Sequence, residues 1–284
     1  MLTAFAALTA AIILSVLFIF ALLPRRTMRL SCRQFCGLLF AHRGLWSGRE
    51  RIPENSLPAF RRAVAAGYAI ELDVQLTKDG QAVIFHDNTL HRMCGVPGNV
   101  HDYTFLELQQ FSLDNTKEKI PLLSQVLQLV NGQVPLLIEL KTRRLDISVC
   151  PVAAALLENY RGKYCIESFS PLILHWYRKH QPQIIRGQLS CRFNSDAGLP
   201  KPLLFLAEHL LFNWYGRPDF IAYEFHRGLT LLNLRILRRC FHTPVFTWTV
   251  RSPAELIHSR FFYDSVIFDR FLPVSADFQT NTKE

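Results

Sequence analysis

The chain has 284 residues and a formal net charge of +9, with 32 lysines and arginines against 23 aspartates and glutamates. Six arginines and no acidic residue precede Glu50, so most of the excess lies near the amino terminus, which excludes a basic stripe along the fold for nucleic acid. The seven cysteines are scattered, odd in number and without CxxC spacing, which excludes a zinc ribbon and a secreted disulfide scaffold.

The first 23 residues form an uncharged apolar segment. At about 1.5 Å per residue, a helix of this length crosses a hydrocarbon core of about 30 Å. The segment lacks the basic start and the small-residue cleavage site of a signal peptide, and Pro24, Arg25 and Arg26 follow it directly. We therefore predict a transmembrane anchor over residues 1–23, with a removed signal sequence as the alternative.

Positive charge flanks this segment on its carboxyl side. No lysine or arginine precedes it, and four arginines follow it: Arg25, Arg26, Arg29 and Arg33. The asymmetry predicts a single-pass membrane protein whose body lies in the cytoplasm. Residues 24–37 form a basic juxtamembrane connector that either contacts anionic lipid head groups or serves only to set the topology. Cys32 and Cys36 in this connector are either acylated or unmodified small apolar residues.

Eight strand-like runs alternate with helix-length segments over residues 38–275. They cover residues 38–41, 68–73, 135–139, 164–167, 184–188, 220–225, 245–250 and 266–268. Such alternation is typical of parallel βα units, and about 240 residues is the size of one barrel domain. The pattern predicts an α/β fold, a TIM-type (β/α)8 barrel over residues 38–275 with the N-terminal transmembrane helix before it and a flexible polar tail over residues 276–284 after it.

Two further elements are predicted close to the first strands. A ninth apolar run, residues 82–85, follows an Asp-Gly turn too closely for a crossover helix, so we expect an antiparallel hairpin with residues 74–77. This hairpin would hold His86 over the mouth of the barrel. A helix is predicted over residues 57–66, with Gly67 as its stop.

Charged pairs follow four of the strand-like runs. The pairs are His42 and Arg43, Glu71 and Asp73, His86 and Asp87, and Glu139 and Lys141. Active sites of this barrel are built at the carboxyl ends of the strands, so we expect the pairs to converge there. They supply three carboxylates for a divalent cation, two imidazoles for proton transfer and two cations for an anionic oxygen, a combination suited to cleaving a phosphodiester.

Glu71, Asp73 and Glu139 are the candidate metal ligands. Residues i and i+2 of a strand share a face, and three converging carboxylates repel one another unless a cation lies between them. Oxygen ligands favour Mg²⁺ or Ca²⁺ over zinc, and a cytoplasmic location favours Mg²⁺ over Ca²⁺. The alternative is a solvent-facing pair at Glu71 and Asp73 and a simple ion pair between Glu139 and Lys141.

His42 and His86 are the candidate general acid and base. Each ends an apolar run, and an unperturbed imidazole pKa of about 6.5 suits proton transfer near neutral pH. A histidine that is hydrogen-bonded to a neighbouring carbonyl would instead be structural. The sequence does not decide which histidine is the acid and which is the base.

Five ordered blocks of the sequence resemble those of the glycerophosphodiester phosphodiesterases. They are His42-Arg43-Gly44, Pro53-Glu54-Asn55, ELDVQLTKDG at residues 71–80, HDNTL at residues 86–90 and Glu139-Leu140-Lys141. The resemblance covers about residues 38–270. It implies a barrel that splits glycerophosphodiesters into sn-glycerol 3-phosphate and an alcohol.

The resemblance also implies a role for each charged residue. Glu71, Asp73 and Glu139 would bind one divalent cation. His42 and His86 would transfer protons, and Arg43 and Lys141 would bind the phosphate. In this family the glycerol 2-hydroxyl of the substrate is thought to attack first, giving a cyclic phosphate that water then opens.

Two late blocks depart from the family pattern. Residues 246–250 resemble the strand whose tryptophan, here Trp248, lines the pocket, but Arg251 stands where the family usually has Asn or another small polar residue. Residues 268–271 resemble a variant of the final Thr-Asp-Arg-Pro block. Trp248 is therefore either a residue of the substrate pocket or a core aromatic.

The expected anchor widens the range of substrates. A tethered barrel meets lipid at high effective concentration, so lysophospholipid, cleaved to lysophosphatidic acid, is expected equally with a water-soluble glycerophosphodiester. Two other classes stay open: a membrane-tethered barrel that binds or regulates without turnover, and a related phospholipase of the sphingomyelinase D or phosphatidylinositol phospholipase C type. The Glu-Leu-Lys and Pro-Glu-Asn blocks argue against the latter. Oligomeric state is not encoded in any pattern of the sequence.

Overall fold

The computed structural model describes residues 2–25, 29–142, 145–193, 200–226 and 231–273, so the tail predicted over residues 276–284 lies outside it. Its strands are β1 (Leu39–His42), β2 (Ala69–Leu76), β3 (Ala82–Ile84), β4 (Leu136–Leu140), β5 (Tyr164–Ser168), β6 (Arg186–Ser190), β7 (Phe220–Glu224), β8 (Val245–Val250) and β9 (Ser265–Phe268). Its α-helices are α1 (Leu2–Leu22), α2 (Arg29–Cys32), α3 (Leu57–Ala65), α4 (His91–Cys94), α5 (Phe105–Leu108), α6 (Leu123–Val130), α7 (Val149–Leu157), α8 (Pro171–His180), α9 (Lys201–Glu208), α10 (Asn213–Gly216), α11 (Leu232–Cys240) and α12 (Pro253–Ser259). Short 3-10 turns cover Arg33–Phe35, Val100–Asp102 and Leu113–Asn115.

Eight parallel strands close into a barrel. Their order is β1-β9-β8-β7-β6-β5-β4-β2, and the pairing of β1 with β2 completes the ring. Strand β3 pairs antiparallel with β2, with Val74 opposite Ile84. The predicted TIM-type (β/α)8 barrel is confirmed, and the hairpin after β2 forms where the Asp-Gly turn indicated.

Strand β6 begins two residues later than the apolar pattern predicted. The pattern started the strand at Ile184, whereas the sheet begins at Arg186, which is fully buried. Its backbone N–H donates to Asp219 Oδ2 at 3.0 Å, and its Nε donates to the carbonyl of Gly216 at 3.0 Å. A hydropathy pattern does not predict that a charged residue is buried in a strand, because the pattern does not include hydrogen-bond partners.

Alternation along the strands separates two layers of core. Inside the barrel, an apolar cluster includes Phe40, Leu137, Phe220 and Phe246. Outside it, residues such as Ile138 pack between the strands and the surrounding helices. The barrel therefore has a filled interior, and polar side chains gather at the carboxyl ends of the strands.

Helix α3 fixes the chain that follows β1. The hydroxyl of Ser56 accepts a hydrogen bond from the backbone N–H of Ala59 at 3.4 Å, which caps the helix. Gly44, in the connecting turn, has a φ of +80°, and a Cβ there would lie 2.9 Å from the Cβ of Ala59. Only glycine allows the turn after Arg43 to pack this closely against α3.

The predicted connector packs against the amino-terminal end of the barrel. Cys32 and Phe35 are buried in the interior cluster, and Gly37 N–H donates to the carbonyl of Asp264 at 2.6 Å. Residues 29–37 therefore act as a plug under the barrel. Because Cys32 is buried, its position fits an unmodified small residue better than an acylated one.

Helix α1 is long and apolar enough to cross a membrane. Thr3–Leu22 has a mean hydropathy of 2.7, and 6% of this span is buried. Its carboxyl-terminal part touches the barrel: Phe18 and Leu22 pack in an apolar cluster, Phe20 stacks on Trp214 with ring centroids 6.4 Å apart, and Arg217 Nη1 donates to the carbonyl of Leu23 at 2.9 Å. A signal sequence has the same length and composition, so the helix alone does not decide between the two.

Candidate active site

Three carboxylates meet at the carboxyl end of the barrel. Sheet register places Asp73 opposite Glu139 on neighbouring strands, and Glu71 precedes Asp73 on the same face of β2. All three are buried, and one oxygen from each lies within 4.8 Å of the others. Since Mg²⁺ and Ca²⁺ bind oxygens at 2.0–2.6 Å, two ligands of one ion lie at most about 5 Å apart. The set therefore fits a single hard divalent cation.

Two cations contact these carboxylates. Lys141 Nζ lies 2.8 Å from Glu139 Oε1 and 3.0 Å from Asp73 Oδ1. Arg43 Nε lies 3.5 Å from Asp73 Oδ2, and the backbone N–H of Arg43 donates to Glu71 Oε2 at 2.9 Å. The predicted metal ligands and the predicted phosphate-binding cations thus lie in one contiguous cluster.

The carboxylates of the cluster differ in acidity. Burial, followed by the charge of Asp73, raises the pKa of Glu71 well above its usual range. Burial would also raise the pKa of Asp73, but the neighbouring charges, led by Lys141, outweigh it and hold that pKa well below its usual range. Burial raises the pKa of Glu139 against the opposing effect of Lys141. Burial and neighbouring negative charge thus disfavour the ionised forms of Glu71 and Glu139, and a bound cation would offset both effects.

Each predicted proton-transfer histidine lies beside a carboxylate. His42 Nδ1 is 3.1 Å from Asp269 Oδ2, and His86 Nδ1 is 2.7 Å from Asp87 Oδ1. An ionised carboxylate only accepts hydrogen bonds, so Nδ1 donates in both pairs and Nε2 is left to exchange protons. Burial lowers the pKa of His42, against the opposing hydrogen bond to Asp269.

Two residues of this arrangement were missed by the sequence analysis. Asp269 directly follows β9, and its place beside His42 depends on the closure of the barrel between β1 and β9. Gln75 donates through Nε2 to the carbonyls of Phe85 at 2.8 Å, His86 at 3.2 Å and Asp87 at 2.8 Å. Gln75 lies two residues after Asp73 on β2 and therefore on the same face of the strand, which is the sequence feature that could have identified it.

An ion-pair network links the two histidine segments. Arg92 Nε lies 2.6 Å from Asp87 Oδ2, and Arg92 Nη2 lies 2.6 Å from Glu54 Oε1. Glu54 Oε1 also accepts from Arg43 Nη1 at 2.7 Å. Glu54, from the Pro-Glu-Asn block, therefore couples the loop after β1 to the segment that carries His86.

A fourth buried carboxylate, Glu167, lies next to the cluster. The register of β4 and β5 places it opposite Glu139. It is 1% exposed, and its Oε2 has no hydrogen-bond partner among the residues that the structure describes. Burial, and then the charges of Glu139 and Asp73, raise its pKa well above the usual range.

Trp248 lies on an apolar wall. Its ring meets Phe169 edge to face, with centroids 5.7 Å apart, and packs against the interior cluster. Phe169 directly follows β5, at the same end of the barrel as the carboxylates. Trp248 therefore contributes both to the core and to the end of the barrel where the charged residues lie.

Comparison with known proteins agrees with this site. The sequence profile of the glycerophosphoryl diester phosphodiesterase family matches residues 42–271. A glycerophosphodiester phosphodiesterase of Caldanaerobacter subterraneus subsp. tengcongensis is 29% identical over 227 residues, covering 75% of this chain and 85% of the relative. A lysophospholipase D of Rattus norvegicus is 33% identical over 122 residues, covering 38% of each chain.

Solved structures show the same fold. A crystal structure of a glycerophosphodiester phosphodiesterase from Thermotoga maritima has a TM-score of 0.61 and 27% identity, covering 82% of this chain and 94% of that one. The matched profile runs from the last residue of β1 past the end of β9 and so includes all of the barrel except the first three residues of β1. On this evidence the chain belongs to the glycerophosphoryl diester phosphodiesterase family.

Proposed function

We propose that the chain hydrolyses glycerophosphodiesters to sn-glycerol 3-phosphate and an alcohol in a metal-dependent reaction. The observation that carries this proposal is the buried cluster of Glu71, Asp73 and Glu139, with oxygens within 4.8 Å of one another. A protein that only bound a ligand would have no need for three repelling carboxylates beside two oriented histidines. Family membership supports the same reaction.

Glu71, Asp73 and Glu139 would hold one divalent cation, for which the all-oxygen ligand set favours Mg²⁺, with Ca²⁺ as the alternative. When bound, the cation supplies positive charge that stabilises the phosphate oxygens during the reaction. The short contacts of Lys141 to Asp73 and Glu139 support this assignment, because they place positive charge beside the same carboxylates.

The chain's own residues perform the remaining steps. Arg43 and Lys141 bind the phosphate oxygens and reduce the repulsion that an incoming nucleophile meets. One of His42 and His86 takes the proton of the attacking hydroxyl, and the other protonates the leaving alkoxide. Asp269 and Asp87 keep the two imidazoles in the tautomer that these transfers need, and Trp248 provides an apolar wall.

The test combines metal removal with substitution. We expect EDTA to abolish hydrolysis of glycerophosphocholine and Mg²⁺ to restore it, and His42→Ala or His86→Ala to lower kcat by about 10²- to 10⁴-fold. Glu71→Gln should also remove the increase in thermal midpoint that Mg²⁺ gives the wild-type protein. His180→Ala, at an exposed position on α8, is the control. Full activity in EDTA, or in either active-site histidine variant, would refute the assigned roles and leave a non-catalytic barrel as the better explanation.

We also propose that residues 1–23 are a retained single-pass anchor, residues 24–37 the basic connector and residues 38–275 the catalytic domain, in the cytoplasm. The docking of Leu22 and Phe20 on the barrel supports retention, because a cleaved segment would have no reason to complete the packing of the mature protein. The arginines that follow the helix support the orientation.

The docking of α1 bears on the choice of substrate. Leu23 and Arg25, which directly follow α1, contact Arg217 and Pro218 just before β7, at the amino-terminal end of the barrel, opposite the carboxylate cluster. The five residues of a strand separate the two ends by about 16 Å. This placement favours water-soluble glycerophosphodiesters. Lysophospholipid is the second candidate, supported by the apolar helix and the rat relative, and comparing rates on glycerophosphocholine and lysophosphatidylcholine decides between them.

A further inference from the structure

A cavity of about 310 Å³ opens beside His42 and Arg43. This is a size at which small ligands bind. Arg43 lines this cavity and also lies 3.5 Å from Asp73 of the carboxylate cluster, so the cavity adjoins the position proposed above for the phosphate. A substrate group that enters the cavity meets the charge of its wall.

Two arginines form the wall where β8 and β9 end. Arg251 follows β8, Arg270 follows β9 by two residues, and both line the cavity. Arg251 Nε lies 3.3 Å and Arg270 Nε 3.8 Å from the same oxygen, Asp269 Oδ1. The second oxygen of Asp269 is the one that faces His42. A single carboxylate thus serves two guanidiniums and an imidazole.

The remaining charges of the cavity are balanced differently. Arg43 and Arg92 share Glu54, and each has a further carboxylate partner, Asp73 for Arg43 and Asp87 for Arg92. Asp114, the other acidic residue of the lining, lies in the 3-10 turn that packs against α4, the helix of Arg92. The excess of positive charge is therefore located at Arg251 and Arg270.

Both side chains remain accessible from solvent. The side chain of Arg251 is 49% exposed and that of Arg270 is 64% exposed, and their Nε atoms lie 3.3 Å and 3.8 Å from Asp269 Oδ1. A guanidinium has five N–H donors in a planar fork that matches the oxygens of a phosphate or carboxylate.

We propose that Arg251 and Arg270 form an anion subsite, and that the preferred substrates are glycerophosphodiesters whose alcohol carries a second negative group. The inference rests on the proposed phosphodiesterase function and specifies its substrate class. Alcohols that carry a cation, such as choline, are disfavoured because they meet two positive charges in the cavity. The Asp269 carboxylate between the two guanidiniums balances only one of their charges, so this wall keeps a net positive charge.

The experiment compares kcat/KM for two water-soluble substrates, sn-glycero-3-phosphocholine and bis(glycerophospho)glycerol, whose leaving alcohol carries a second phosphodiester. After correction for the two equivalent ends of the latter, we expect the full-length enzyme with Mg²⁺ to prefer it by about tenfold at low salt, since each exposed pair contributes up to about fivefold. The preference should shrink as salt screens the charges.

Variants test whether the two arginines cause the preference. Arg251→Asn combined with Arg270→Gln should bring the ratio close to one, mainly through KM, and Arg251→Lys should retain most of it. Arg239→Gln, on the exposed face of α11, is the matched control and should leave the ratio unchanged. A ratio between two substrates cancels any effect of these changes on Asp269 and His42, because both substrates use the same histidine.

The outcomes separate the two proposals. If the wild-type protein hydrolyses neither substrate, the proposed phosphodiesterase function is wrong. If it hydrolyses both at equal kcat/KM, or if the double variant keeps the wild-type ratio, the phosphodiesterase function stands and the anion subsite is refuted.

Discussion

At the scale of single residues, the site depends on carboxylates whose burial is costly without compensating positive charge. Glu71, Asp73, Glu139 and Glu167 all lie in a buried region, where an isolated ionised carboxyl is costly. Contacts with Lys141 and Arg43 offset part of this cost for the first three. Glu167 has no such cation within hydrogen-bond distance among the described residues, so its ionised form is the least compensated of the four.

The first prediction concerns the stability of the metal-free protein. The pKa of Glu167 in the folded chain lies well above its ordinary value of 4.5. Between these two values the folded chain holds a proton that the unfolded chain has lost, so stability falls as pH rises through this window. Glu167→Gln has no charge to form. We expect it to raise the free energy of unfolding at pH 8 by about 1–2 kcal/mol and to flatten the pH dependence above 4.5.

Urea unfolding of the full-length protein in EDTA, followed at several pH values, measures this effect. Glu158→Gln, at an exposed position just after α7, removes the same charge without the burial and should leave the profile unchanged. A Glu167→Gln variant that is less stable than the wild type at pH 8 would contradict the prediction and would indicate that the ionised carboxylate has a stabilising partner.

At the scale of helices and strands, most of the architecture follows from patterns in the sequence. Alternating strand and helix segments gave the barrel, and the Asp-Gly turn gave the β2–β3 hairpin, because both depend on local spacing. Asp269 was assigned no role, because its contact with His42 joins residues 227 positions apart and exists only once the barrel closes. Gln75 was missed because its hydrogen bonds go to backbone carbonyls, and a pattern of side-chain types does not indicate such partners.

Gln75 leads to the second prediction. Its three hydrogen bonds fix the segment that carries His86 to strand β2. Gln75→Leu removes the donor of these three hydrogen bonds. The backbone segment that carries His86 is then no longer held to β2, and His86 shifts from its position. We expect kcat on glycerophosphocholine to fall by about 10- to 100-fold, since small displacements of a catalytic group are costly, with little change in the Mg²⁺ concentration needed for half-maximal activity.

A control in the same hairpin separates position from stability. Thr77→Val breaks the hydrogen bond from Gln81 N–H to Thr77 Oγ1, at the turn end and away from His86. It should lower the thermal midpoint and leave kcat unchanged. Unaltered kcat in Gln75→Leu would show that the His86 segment is held by other contacts.

At the scale of the whole molecule, the two ends of the barrel have separate tasks. The carboxyl end gathers the proposed metal ligands and histidines, while the amino end receives the end of α1 and the plug of residues 29–37. The proposed tether at the amino end would leave the mouth accessible from the aqueous phase. Changes to the tether should therefore alter location without altering chemistry, provided that the plug stays intact.

The last prediction separates the tether from the plug by two truncations. A variant of residues 24–284 should move from the membrane to the soluble fraction and keep its kcat on glycerophosphocholine, because it retains Cys32 and Phe35 under the barrel. A variant of residues 37–284 loses these two buried side chains and opens a cavity. It should lose about 2–5 kcal/mol of stability, so that its thermal midpoint falls by several degrees.

Membrane fractionation, thermal unfolding and kcat, measured for the full-length chain and for both truncated chains, test these expectations. A full-length chain that is already soluble would disprove the anchor, and equal stability of the two truncated chains would show that the plug contributes nothing to the barrel.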